Sequence, residues 1–240
     1  MTPYGHSLRF TGNGVPWRSI TASLVLLLLW DASGWDLPLM EAIGSPTGFP
    51  LRDNYWLENV LHTGARNVCV ALYLGLWVVA LAWPNGAHPL IGQRWQRSWW
   101  LLGVLVNLIV ISGLKSISGT SCPWDLQAFG GPAVYVSHWT FGVADGGGGR
   151  CFPGGHASSA LAFLALAPVW LRAAAPSHRR LGRWLFALAL GFGLLFGLTQ
   201  TLRGAHYPSH TLWTAWLCWT VGGISHHLYQ MIRTMVNSKS

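Results

Sequence analysis

Charge is what this chain has least of. Only 9% of its 240 residues are Asp, Glu, Lys or Arg, against roughly 25% in ordinary soluble domains. A fold covered by water on all sides is hard to build from such a composition. Acidic residues are scarcest, 7 against 15 Lys and Arg, which leaves a net charge of +8. That surplus forms no basic block with interleaved aromatics, since the arginines stand singly or in pairs, so a nucleic-acid partner is not expected. Cysteine is sparse too: none of the four residues pairs with another at metal-finger spacing, and no cluster of carboxylates offers a metal site. Neither a metal nor another cofactor is expected.

What is abundant is apolar surface. Hydrophobic residues make up 51% of the chain, and many of its 16 Trp flank apolar runs, as Trp17, Trp35, Trp83, Trp99, Trp100, Trp170 and Trp184 do. Such rings favour the lipid-water boundary. Six apolar stretches run Ile20 to Leu37, Asn67 to Trp83, Trp99 to Leu114, Ala157 to Leu171, Leu181 to Leu202 and Thr211 to Tyr229. Most approach the ~20 residues that span a bilayer as a helix. The first is the weakest, because Asp31 and Asp36 interrupt it. Its core resembles a signal-peptide apolar region, but no small-x-small site follows; it is read as an uncleaved first helix.

With the N-terminus cytoplasmic, ten of the 15 cations fall inside: Arg9, Arg18, Arg94, Arg97, Arg172, Arg179, Arg180, Arg183, Arg233 and Lys239. The expectation is therefore an all-α polytopic membrane protein, six helices in one bundle over residues 1–240, with both termini inside. Long polar segments then face outward. They carry Lys115, Cys122, Asp125, Asp145, Arg150, Cys151 and His156 before the fourth span, and Arg203, His206 and His210 before the sixth. The Gly146 to Gly149 run reads as a flexible joint. In an oxidising outer compartment Cys122 and Cys151 would pair and draw "KSISGTSCPWD" beside "GRCFPGGH", with two free thiols as the alternative.

Ionisable groups at membrane depth are costly unless they have work to do. Gly154 and Gly155 open the fourth helix, where bare amides and the helix dipole favour an anion. Lys115, Arg150 and Arg203 supply cations suited to phosphate. A neutral imidazole attacks phosphorus, an imidazolium protonates a leaving oxygen, and His206 and His156 stand at different helix mouths to divide those roles.

These residues resemble the type 2 phosphatidic acid phosphatase family of membrane lipid phosphatases, related to vanadium haloperoxidases. Its pattern runs Lys-x6-Arg-Pro, Pro-Ser-Gly-His, then Ser-Arg-x5-His-x3-Asp. Lys115 and Pro123 match the first motif, Pro153, Gly155 and His156 the second, and His206 the third, in order along nearly the whole chain. The resemblance implies a phosphohistidine mechanism in which His206 is nucleophile, His156 general acid and Lys115 a phosphate ligand. Four positions depart from the pattern: Cys122 and Gln200 stand for arginines, Gly154 for serine and His210 for the aspartate that orients the nucleophile. Arg203, one turn past Gln200, and Arg150, drawn in by a disulfide, are the candidate replacements for the cations; His210 or Asp125 is the candidate orienting group. Glu58 and His62, one turn apart, are read as an ordinary surface pair. The expected activity is release of phosphate from a lipid phosphate or polyprenyl pyrophosphate at the outer face of a bacterial inner membrane. Transfer of the phosphoryl group to another lipid, and lipid binding or transport without chemistry, are the rivals.

Overall fold

The computed structural model describes residues 14–85 and 92–237; Arg9 and Lys239, counted above among the inner cations, lie outside them. The first expected span is broken. Helix α1 (Trp17–Ser33) meets α2 (Asp36–Ile43) at a 64° bend. Gly34 makes the turn at φ +66° and donates its amide to the Asp31 carbonyl, a left-handed cap that a side chain would strain. The two aspartates that weakened this stretch as a span turn out to be its anchors. Asp31 Oδ2 accepts the indole N–H groups of Trp139 at 2.9 Å and Trp213 at 2.8 Å and meets His138 Nε2 at 3.3 Å. Asp36 accepts the Trp30 indole at 3.0 Å, the Ser209 amide at 3.1 Å and the Ser209 hydroxyl.

The second helical arm starts well before Asn67. A π-helical segment, Trp56–Gly64, runs into α3 (Ala65–Ala82), whose Val68, Leu72, Leu74 and Val78 are exposed, the outward apolar face of a lipid-embedded helix. α4 (Arg94–Ile117) opens on a capping box between Gln93 and Gln96. Arg97, expected simply as an inner charge, is buried and closes off the end of α3. It donates to the Ala80, Gly92 and Trp83 carbonyls at 3.0, 2.9 and 2.7 Å, satisfying acceptors that a helix end leaves open.

The fourth arm is α5 (Ser158–Leu161), a 3-10 turn (Ala162–Leu166) and α6 (Ala167–Leu171). Its small residues let neighbours come close. A Cβ on Gly222 would lie 2.7 Å from Ala165 Cα, and one on Gly193 would lie 2.3 Å from Leu161 Cδ2. Asn107 of α4 ties three arms together, its amide donating to the Ala162 carbonyl at 3.0 Å and the Cys218 carbonyl at 3.2 Å. α7 (Pro176–Leu202) and α8 (Pro208–Asn237) complete the bundle. Three helical segments among the described residues are long and apolar enough to cross a membrane, or four with the bent α1–α2 pair taken as one.

Over one end of the bundle the long α4–α5 connection folds on a small core of its own: Met40, Phe49, Leu126, Phe129, Ala133 and Tyr207. Burying the larger of these contributes roughly 1.5–3 kcal/mol each. That core fixes the connection above the helix ends where Lys115, His156 and His206 emerge.

Candidate active site

Two stretches of the α4–α5 connection run side by side beneath this roof. The Arg150 amide donates to the Ser118 carbonyl at 2.7 Å and the Cys151 amide to the Thr120 carbonyl at 2.9 Å. Cys122 and Cys151 form a disulfide with Cα atoms 5.1 Å apart, as the oxidising-compartment reading expects. The glycine run is not a joint. A Cβ on Gly147 would lie 2.2 Å from Ser121 Oγ, so glycine is there because nothing larger fits. Asp145 holds the turn, accepting the Ser121 amide at 2.7 Å, the Ser121 hydroxyl at 2.9 Å and the Gly147 amide at 2.9 Å.

The α7–α8 corner presents the second histidine. Gly204 turns the chain at φ +77°, with Phe49 packed where its Cβ would be. Its carbonyl accepts the Trp124 amide at 2.9 Å, and the Ala205 amide returns to the Gln200 carbonyl at 2.8 Å. His206 is thereby held on both sides, and it is buried.

The imidazoles of His156 and His206 lie 6.5 Å apart between centroids. The Lys115 side chain crosses Gly155: a Cβ there would stand 3.2 Å from Lys115 Cδ and 3.8 Å from its Nζ. Gly155, His156 and Ala157 donate their amides to no protein group among the described residues, so three N–H groups gather at the start of the fourth arm. Gly154 does not join them, because its amide donates to the His210 carbonyl at 3.0 Å.

Burial pushes His206 well below the usual imidazole range, and the neighbouring His210, Lys115 and His156 push the same way. His156 is lowered to about 3, first by burial, then by His62, Lys115, Arg66 and Arg203. Both rings are therefore neutral near pH 7 in a pocket of positive potential. A neutral imidazole carries the lone pair a nucleophile needs, and the surrounding cations favour a bound anion.

Arg203 is buried at this end of the bundle, its Nε donating to the Arg52 carbonyl at 2.7 Å and its Nη2 lying 3.4 Å from Glu58 Oε1. Arg150 is not brought in. It is exposed, in a left-handed conformation at φ +57°, and is not among the charges acting on either histidine. The strand-like pairing holds its backbone against Ser118 while the residue stays exposed.

Neither expected orienting group reaches His206. Asp125 sits on a 3-10 turn (Pro123–Asp125) whose carbonyl is taken by Ala133, and its carboxylate makes no bond to the ring. His210 is fully buried, edge-on to His206 at 5.7 Å between centroids, and among the described residues neither of its nitrogens has a side-chain partner. His206 Nδ1 instead meets Cys151 Sγ at 3.3 Å. Ligand atoms of Cys122, Cys151 and His206 lie within 4.8 Å of one another, but the two sulfurs are joined, so neither is a thiolate able to hold a metal.

Glu58 and His62 are not a surface pair. His62 lies against His156 with ring centroids 3.7 Å apart, and Glu58 faces Arg203. The signal in the sequence was their one-turn spacing; what it lacked was the π-helical segment that carries both.

Fold and site together define a helical membrane-type protein with a cluster of histidines and cations suited to a phosphoryl group. The chain belongs to the PAP2 superfamily, whose family model matches residues 97–234. A solved structure, the transmembrane PAP2-type phosphatidylglycerolphosphate phosphatase from Bacillus subtilis, aligns with a TM-score of 0.55 over 89% of this chain and 96% of its own. Identity is 15%, so what the two share is the fold. No curated protein matches in sequence.

Proposed function

We propose that this chain is a lipid phosphatase that releases phosphate from a phosphomonoester or pyrophosphate of a membrane lipid, without a metal. The observation that carries the reading is the convergence of Lys115, His156, Arg203 and His206 at one end of the bundle, beside three undonated amides. His206 attacks phosphorus through Nε2, and the bond to the lipid oxygen breaks. Lys115, Arg203 and the Gly155 amide take the equatorial phosphate charge. His156 protonates the departing oxygen.

The resting His156 is neutral, so its proton arrives with the substrate. A phosphate bearing one to two negative charges offsets the cations that depress this ring, and a monoanion brings a proton with it. Water then attacks the phosphohistidine, with the same ring now accepting a proton. The proposed topology is six crossings of a bacterial inner membrane, with cytoplasmic termini and this pocket on the periplasmic side, where the disulfide forms.

The test is phosphate release by the purified protein in detergent, free of divalent metal, on a panel of lipid phosphates. His206→Ala and His156→Ala are expected to be inactive; retained turnover in both sinks the mechanism. Appearance of phosphate on a second labelled lipid rather than in water would assign the chain as a transferase instead.

A further inference from the structure

The side-chain partner of His206 Nδ1 is a sulfur, on a residue whose backbone also acts on the ring. Cys151 Sγ lies 3.3 Å from that nitrogen and 3.1 Å from the Ala205 carbonyl oxygen. Within the disulfide this sulfur carries no proton, so it has nothing to donate to either group and meets the ring as an acceptor. A weak acceptor suffices to choose a tautomer, because the proton on a neutral imidazole goes where it is accepted. We propose that the Cys122–Cys151 disulfide is a positioning element for the reactive histidine: its sulfur takes the Nδ1–H bond and leaves the Nε2 lone pair free to attack.

The inference rests on the reading of His206 as nucleophile. Three observations favour it. Among the described residues no carboxylate hydrogen-bonds to His206, and His210 is edge-on to it with no side-chain hydrogen bond between the two rings. Cys151 is wholly buried, its amide tied to Thr120, so the sulfur cannot drift from the ring. The other half of the bridge is fixed to the same corner, since Trp124, two residues past Cys122, donates its amide to the Gly204 carbonyl. The crosslink is therefore fastened on both sides to residues 204–206.

Oxidation state then sets the chemistry of that sulfur. A dithiol that reduces the bridge breaks the S–S bond, supplies two electrons and two protons, and closes to its own disulfide. Cys151 becomes a thiol with a hydrogen bond to give. When that S–H donates a hydrogen bond to the Nδ1 lone pair, the thiol keeps its proton and the ring's own proton moves by exchange from Nδ1 to Nε2, the atom that must attack. The neutral sulfur also stabilises a phosphoimidazolium less than a carboxylate does, which makes the intermediate short-lived.

The test compares Cys122→Ala/Cys151→Ala with Cys122→Ala/Cys151→Asp, on a short-chain phosphatidic acid in detergent. Both lack the crosslink, but only the second returns an acceptor to Nδ1. The double alanine is expected to lose kcat by roughly 10–100-fold, as removal of a histidine's supporting partner does, with KM within about twofold; the aspartate variant recovers most of that loss. Equal kcat in the two variants overturns the proposal and leaves a plain crosslink. His206→Ala separates the two readings. Turnover in it overturns the nucleophile assignment, whereas an inactive His206→Ala beside two equal disulfide variants overturns the positioning role alone. An activity-independent measurement uses 15N-histidine-labelled wild type, with the His206 signals assigned by difference from His206→Ala. The oxidised protein is expected to show Nδ1 protonated and Nε2 bare, and the dithiol-treated protein a changed tautomer; an unchanged tautomer overturns the inference.

Discussion

Gly204→Ala is the substitution in which fold and site are most directly joined. The residue sits at φ +77°, where an L side chain costs about 1–2 kcal/mol. Its new Cβ would stand 2.2 Å from Phe49 Cδ2, and Phe49 cannot swing aside, being buried and packed on Phe129 with centroids 4.7 Å apart. Overpacking of that kind costs about 1–3 kcal/mol, for a total of about 2–5 kcal/mol. In a chain of this size that corresponds to a fall in Tm of about 4–20 °C. Thermal unfolding in detergent measures it, and Gly191→Ala is the control. Gly191 lies in α7 with nothing within 4 Å of its Cβ position, so alanine there is expected to be neutral or stabilising by up to about 1 kcal/mol. Because His206 follows Gly204 by two residues, kcat is expected to fall with stability. A Gly204→Ala protein melting within about 2 °C of wild type would falsify the account of this corner.

Glu58→Gln should release Arg203 for phosphate. Their pair spans 3.4 Å with Glu58 44% exposed, worth about 0.2–1 kcal/mol, so inhibition by inorganic phosphate is expected to tighten about 1.5- to 5-fold; unchanged or weaker inhibition would exclude Arg203 as a ligand. Acid should unfold the protein early. His156 and His206 stay neutral in the fold while the unfolded chain takes up protons near pH 6.5. The contribution of these two rings therefore falls as pH drops below about 6.5, by up to about 1.4 kcal/mol per pH unit for each, continuing to about 3 for His156, and is constant above 6.5. Denaturant midpoints at pH 5 and pH 7 check this, and equal midpoints refute it. Losing the disulfide, whose cysteines are 29 residues apart, should lower stability by about 3.5 kcal/mol on the chain-entropy account. A melt of Cys122→Ala/Cys151→Ala that matches wild type contradicts that figure.

The parts of the site legible in the sequence were those written in short, ordered spacings. Lys115, His156 and His206 stood at the ends of apolar stretches, and the same stretches located most of the helices. The disulfide was readable because two cysteines shared one long polar segment. What escaped were pairings between distant segments with no local signature. Glu58 with Arg203 and His62 with His156 depend on a π-helical segment that apolar periodicity does not announce. Arg150 was misplaced because spacing along a glycine run says nothing about where a side chain points. Asp31 and Asp36 were visible as costs, and their partners were not: Trp139, Trp213 and Ser209 lie over a hundred residues on.

The bend at Gly34 has a use beyond its own helix. The family model begins at residue 97, so the groups proposed to handle phosphate, Lys115, Gly155, His156, Arg203 and His206, belong to the later stretch, while Asp31, Asp36, Glu58 and His62 come from ahead of it. The earlier stretch grips the later one at Ser209, Trp213, Arg203 and His156. It works as a jig around a tool: a library of variants confined to residues before 97 is expected to reshape the surroundings of the site while leaving unchanged the residues proposed to carry the reaction.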